Sequence, residues 1–120
     1  LFNMLEPNYN YEIKQNSGVF TFGAFEQLAS KTDKMLDYLI EKKPMICIHT
    51  EPAIELYDDQ NNLSDFLAYK FQNNRGYTSG LINKLESLEQ KGSIKILKIK
   101  RLKAILHLYC VYSKRLLILL

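Results

Sequence analysis

Apolar positions fall in short blocks along this chain, and the blocks differ in period. Val19, Phe20, Thr21 and Phe22 form a β-rich tetrapeptide between Gly18 and Gly23, which predicts a short buried strand. Phe25, Leu28, Thr32, Met35, Leu36 and Leu39 then recur at three and four residues, with Lys31, Asp33, Lys34 and Asp37 off the stripe. That spacing predicts an amphipathic helix. Lys42 and Lys43 suit its carbonyl end, and Pro44 stops it. Residues 45–48 carry no charge and do not alternate, the pattern of a strand covered on both faces. Strand, helix, strand at this length predicts a crossover joining parallel strands. The stretch before Gly18 is rich in turn residues; residues 9–13 alternate weakly, as a short strand or an extended arm.

The chain changes character after Ile48. His49, Thr50, Glu51, Glu55, Tyr57 and Asp58 bring titratable and hydrogen-bonding groups to the expected carboxyl end of the second strand. In open α/β sheets ligands bind at that end. Residues 58–62 read as a turn, with Asn62 or Ser64 capping a short helix that carries Leu63, Phe66, Leu67, Tyr69 and Phe71. Asn73, Asn74, Arg75 and Gly76 interrupt it. A further helix follows, capped by Thr78 or Ser79, with Gly80 in its first turn, Leu81, Ile82, Leu85 and Leu88 on one face and Gly92 just past its end. Ile94, Ile96 and Ile99 then alternate with Lys95, Lys98 and Lys100, with one slip at Leu97. This is an outer strand whose lysines discourage edge-to-edge pairing. Residues 104–112 are apolar without a clear period and are expected to pair back on 94–101. Residues 116–120 are five bare aliphatics, a patch that calls for a partner or a second copy to cover it.

Composition narrows this picture a little. At 120 residues the chain is one α/β domain or part of one. A net charge of +3 falls short of the dense basic stripe of a dedicated nucleic-acid binder, so nucleic acid is not an expected partner. The apolar runs are too short and interrupted for a bilayer span, which takes about 20 residues. Cys47 and Cys110 each sit in an apolar run and suggest no disulfide framework, which fits a reducing, cytoplasmic setting. No leader segment opens the chain, and a start at Leu1 rather than Met implies missing upstream sequence.

Several residues could carry chemistry. Glu51 and Glu55 are four apart and would share a face on a helical turn, where carboxylates can hold an acceptor hydroxyl or act as a base. The plain alternative is two solvated acids, or Glu51 satisfying nearby backbone N–H groups. His49 at a strand end is a candidate general base; a hydrogen-bonded core histidine explains it equally well. His107 in the apolar tail reads as structural, and no His/Cys spacing suggests a metal. Tyr57, Tyr69 and Tyr77 could flank a sugar or an aromatic ring, and Arg75 could grip an anion, though a solvated turn explains Arg75 as well. Lys95, Lys98, Lys100, Arg101 and Lys103 cluster, as a protected edge strand requires.

The order of several tracts adds a family resemblance. Gly18-Val19-Phe20-Thr21-Phe22-Gly23-Ala24-Phe25-Glu26-Gln27 precedes Glu51-Pro52-Ala53-Ile54-Glu55-Leu56-Tyr57-Asp58, and Asn74-Arg75-Gly76-Tyr77-Thr78-Ser79-Gly80 follows. Residues 18–101 so ordered resemble the carboxyl-terminal half of class I S-adenosylmethionine-dependent methyltransferases, in particular sugar-biosynthesis-like or uncharacterised members. The resemblance implies a partial Rossmann-like three-layer sandwich: a mostly parallel sheet, helices on its faces and a closing antiparallel strand pair. The strand at 19–22 would be the fourth of that fold, 45–50 the fifth, and 94–101 one of the last pair, the tail supplying the other. It implies S-adenosylmethionine as cofactor and a small-molecule acceptor, a sugar hydroxyl being one candidate. Glu26, Gln27 and Tyr57 would line the acceptor pocket and His49, Glu51 and Glu55 would act in catalysis. The family's glycine-rich cofactor loop has no counterpart in these residues, which implies a fragment, and residues 102–120 depart from the family. A different reading is a non-catalytic α/β module that docks on a partner through the basic strand 94–103 and the apolar tail.

Overall fold

The computed structural model describes residues 2–77, 79–102 and 107–113. β1 (Gly18–Phe22) and β2 (Ile46–Glu51) run parallel, with Val19 opposite Cys47 and Thr21 opposite His49. α1 (Asp33–Lys42) joins them. α2 (Leu63–Arg75) and α3 (Leu81–Gln90) follow, then β3 (Lys95–Leu102) and β4 (His107–Ser113). The four strands form one sheet in the order β1-β2-β4-β3. β4 is antiparallel to both neighbours and separates β3 from β2. The fold is therefore mixed α/β. β1/β2 is a parallel pair and β3/β4 the expected closing antiparallel pair; β4 alone of the four described strands is reversed, and it takes the place beside β2.

The slip at Leu97 is a β-bulge. Ile96 faces Tyr112 and Lys98 faces Val111, so Leu97 is left over, 45% exposed. β3 lies at the edge of the sheet, where its lysines were expected. β2 runs three residues past the apolar block, through His49, Thr50 and Glu51, because pairing with β4 continues as far as Glu51 opposite Leu108. The polar end of that block is thus strand rather than loop.

One apolar cluster gathers Phe25, Leu28, Met35, Leu36, Leu39, Cys47, Leu81, Ile82, Leu85 and Ile94, with Val19, Ile96 and Ile99 against it. α1 and α3 therefore cover the same side of the sheet. Alternation sends Phe20 and Phe22 to the other side, where they are 63% and 57% exposed. Lys84 ties the two helices: its Nζ donates to Thr32 Oγ1 at 2.9 Å and pairs with Asp33 at 2.9 Å. At the amino end, Phe2 and Tyr9 pack their rings on Tyr38, whose hydroxyl donates to the Tyr11 carbonyl at 2.9 Å. Residues 9–13 are an arm on α1, not a strand.

Two local expectations change. The single stripe from Phe25 to Leu39 is divided between a 3₁₀ turn, Phe25–Leu28, and α1. Ala29, at φ 51° and ψ −124°, breaks the helix while leaving the apolar spacing intact. Gly80 is the N-cap of α3 at φ 78°, and no side chain caps that helix, so Ser79 does not fill the role; Thr78 lies outside the described residues. Asn62 does cap α2, its side chain accepting from the Asp65 N–H at 3.1 Å. Gly76 closes that helix at φ 62°. The tail at 114–120 and Lys103 also lie outside the described residues.

Candidate functional site

The carboxyl ends of β1 and β2 carry most of the residues singled out from the sequence. Gly23 turns the chain sharply after β1, at φ 58°, and its N–H donates to the Thr50 carbonyl at 3.0 Å. Glu51, the last residue of β2, is fully buried. Its Oε1 accepts from the Ala24 N–H at 3.2 Å and its Oε2 from the Glu26 N–H at 3.3 Å. The carboxylate therefore holds the start of the 3₁₀ turn, where N–H groups have no intrahelical partner. This is the backbone-satisfying arrangement rather than a carboxylate open to solvent.

Glu26 stands on that same turn, half-buried. Burial pushes its carboxyl above the ordinary value, and the nearby Glu51 carboxylate pushes the same way. Gln27 is exposed, its Nε2 donating to the Gly23 carbonyl at 3.3 Å.

His49 is fully buried. Its Nδ1 lies 2.8 Å from Thr21 Oγ1 on the neighbouring strand, and the Phe25 ring meets the imidazole edge-to-face at 4.8 Å between centroids. Burial lowers its pKa to about 4, so the ring is neutral at physiological pH. The geometry is that of a core histidine joining β1 to β2.

Glu55 does not share a face with Glu51. Glu51 belongs to β2, Ala53 is extended at φ −134° and ψ 104°, and Glu55 lies exposed in a separate 3₁₀ turn, Ile54–Leu56. The helical pairing expected from their spacing fails because the strand runs on to Glu51 and Pro52 follows. Tyr57 comes next, half-buried. Burial raises its hydroxyl pKa; Arg101 opposes this, while Asp65, Glu26 and Glu55 add to it. Tyr57 thus lies within electrostatic reach of both Glu26 and Glu55.

The sequence reading missed the group that holds this edge together. Asp65, buried in the first turn of α2, receives both terminal nitrogens of Arg101, with Nη1–Oδ2 at 2.7 Å and Nη2 on Oδ1. The Asp58 N–H donates to the same carboxylate at 2.8 Å, and Arg101 Nη1 reaches the Leu56 carbonyl at 3.4 Å. The guanidinium also lies over the Tyr57 ring at 5.6 Å. One bidentate pair therefore fixes the end of β3, the start of α2 and the loop bearing Tyr57. An acid in the first turn of a helix and a base at a strand end give no sequence sign of each other.

Among the described residues no group of three His, Cys, Asp or Glu side chains could hold a metal ion, and no helix is long and apolar enough to cross a membrane. Compared with known proteins, the chain matches no family model, no curated sequence and no solved structure.

Proposed function

We propose that these residues form the acceptor side of an S-adenosylmethionine-dependent methyltransferase, the carboxyl-terminal half of that fold, serving a small-molecule acceptor. The observation that carries the reading is the strand order β1-β2-β4-β3, with β1 and β2 parallel and β4 antiparallel between β2 and β3. It is the order expected if β1 and β2 are the fourth and fifth strands of such a fold and β3 and β4 its closing pair. The three-layer Rossmann-like sandwich belongs to the same proposal. α1 and α3 supply one layer, and the exposed Phe20 and Phe22 mark the side on which another would lie.

The residues present do not fit the cofactor. No G-x-G-x-x-G run occurs in the 120 residues, and the Ala24 and Glu26 N–H groups after β1 already donate to Glu51. No transfer step is therefore assigned to this chain alone, and the cofactor site belongs to another segment or subunit. Within the acceptor edge, Glu26 is the group placed to accept a hydrogen bond or a proton from the acceptor, and its raised pKa suits a general base. Glu51 positions it through the turn, and His49 and Thr21 fix the strand ends beneath. Gln27, Glu55 and Tyr57 stand at the rim.

The test is the natural coding sequence upstream of Leu1. The expected outcome is a strand followed by a glycine-rich turn, and methyl transfer from labelled S-adenosylmethionine by the polypeptide so extended. An upstream sequence without that turn, and no labelled product, removes the reading. Calorimetry of the 120-residue chain with S-adenosylmethionine is expected to give no saturable heat.

The exposed Leu97 on β3 favours a second reading, a non-catalytic module that docks on a partner through the basic strand and the tail. It predicts self-association that removal of residues 115–120 relieves. Unchanged mass in light scattering counts against it.

A further inference from the structure

α2 is buried along Asp65, Ala68 and Gln72 and open along Leu67 and Phe71. Beside it lies a cleft of about 730 Å³, walled by Glu26, Pro52, Leu67, Phe71, Gln72 and Tyr77. Small-molecule sites span roughly 300–1,000 Å³, so the cleft has room for one. Its walls are largely apolar, with Phe71 and Tyr77 meeting edge-to-face at 6.2 Å.

The cleft offers a ligand one charged group. Glu26 contributes a carboxylate, with the buried Glu51 carboxylate behind the same turn. None of the lining residues is cationic. At the rim, Arg75 already lies over the Phe71 ring at 5.2 Å, so this aromatic edge accepts a cation. An anion would meet the Glu26 carboxylate in the cleft itself, the Arg75 guanidinium lying outside the lining. A polyol would bring many hydroxyls against apolar walls that offer few partners.

We propose that this cleft binds a small amine with an apolar or aromatic body, its ammonium paired with Glu26 and its body resting on Leu67, Phe71 and Tyr77. The inference names the ligand class of the edge assigned above to the acceptor. It rests on that reading only for calling the ligand an acceptor, since binding needs no cofactor.

The test uses the 120-residue chain and three probes of one shape: benzylamine, benzyl alcohol and benzoate, titrated by calorimetry with amide chemical shifts followed in parallel. Benzylamine is expected to bind and to move the signals of Gln72 and Tyr77, with benzyl alcohol and benzoate at least tenfold weaker. Glu26→Gln is expected to weaken benzylamine tenfold or more and to leave benzyl alcohol unchanged. Leu67→Ala, at an exposed position of the lining, is expected to weaken benzylamine while the fold, followed by circular dichroism, persists. No saturable binding of benzylamine, equal binding of the three probes, or an affinity indifferent to Glu26→Gln overturns the proposal. Benzylamine binding without methyl transfer by the extended polypeptide removes the methyltransferase reading alone. Methyl transfer to a hydroxyl compound without amine binding removes this inference alone.

Discussion

His49 is where a single residue couples the fold to pH. Its folded pKa of about 4 lies below the ordinary 6.5, so the unfolded chain binds the proton more readily. The stability that follows is complete above pH 6.5 and is lost as pH falls through the folded value. A shift of this size corresponds to about 3 kcal/mol. Urea unfolding at a series of pH values is expected to show the decline between pH 6.5 and 4, and His49→Asn, neutral throughout, is expected to flatten it. Asp65 acts at lower pH. The Arg101 guanidinium first, and the Asp58 N–H second, hold its carboxyl below the ordinary 3.8. Its contribution is present above 3.8 and fades as pH falls through the lower folded value. Asp65→Asn is expected to melt below the parent at pH 7, with the gap closing below pH 3.8.

At the scale of elements, the turn after β1 depends on the end of β2. Glu51→Gln keeps the length of the side chain but offers one acceptor to two N–H groups, so one is left unpaired at a cost of about 1–3 kcal/mol. The same change removes one of the two causes that raise Glu26. Its titration, followed by NMR, is expected to move down towards 4.5 without reaching it, because burial is the larger cause. α3 is held by Leu85, which is fully buried, and Leu85→Ala is expected to cost about 2–5 kcal/mol in denaturant unfolding. These elements were unevenly legible. The bulge at Leu97 shows in the sequence because a period of two cannot slip without leaving a residue over. The break at Ala29 does not show, because the apolar spacing continues across it. The inward turn of Glu51 depends on β4 extending the strand, and Asp65 meets Arg101 only once the sheet has formed. Periodicity reports local faces, and both of these contacts are long-range.

Among the described residues the two sides of the sheet differ. α1 and α3 share a single apolar cluster on one side, while Phe20 and Phe22 stand on the other. Phe20→Ser with Phe22→Ser is expected to lower self-association in light scattering and to leave the melting temperature nearly unchanged, since neither ring belongs to the cluster. An unaltered tendency to associate would place the sticky surface elsewhere. The position of β4 has a consequence of another kind. β2 is an inner strand, yet Cys47 finds its second neighbour only in Tyr112. A chain emerging from the ribosome makes β1, α1 and β2 early and then holds the flank of β2 open through the synthesis of α2, α3 and β3. Closure waits for β4 to arrive and insert between β2 and β3. Contacts of such long sequence separation make for slow folding. Until that moment the open flank of β2 is a template for any extended chain nearby, and the nascent protein is most exposed to aggregation between the synthesis of β2 and that of β4.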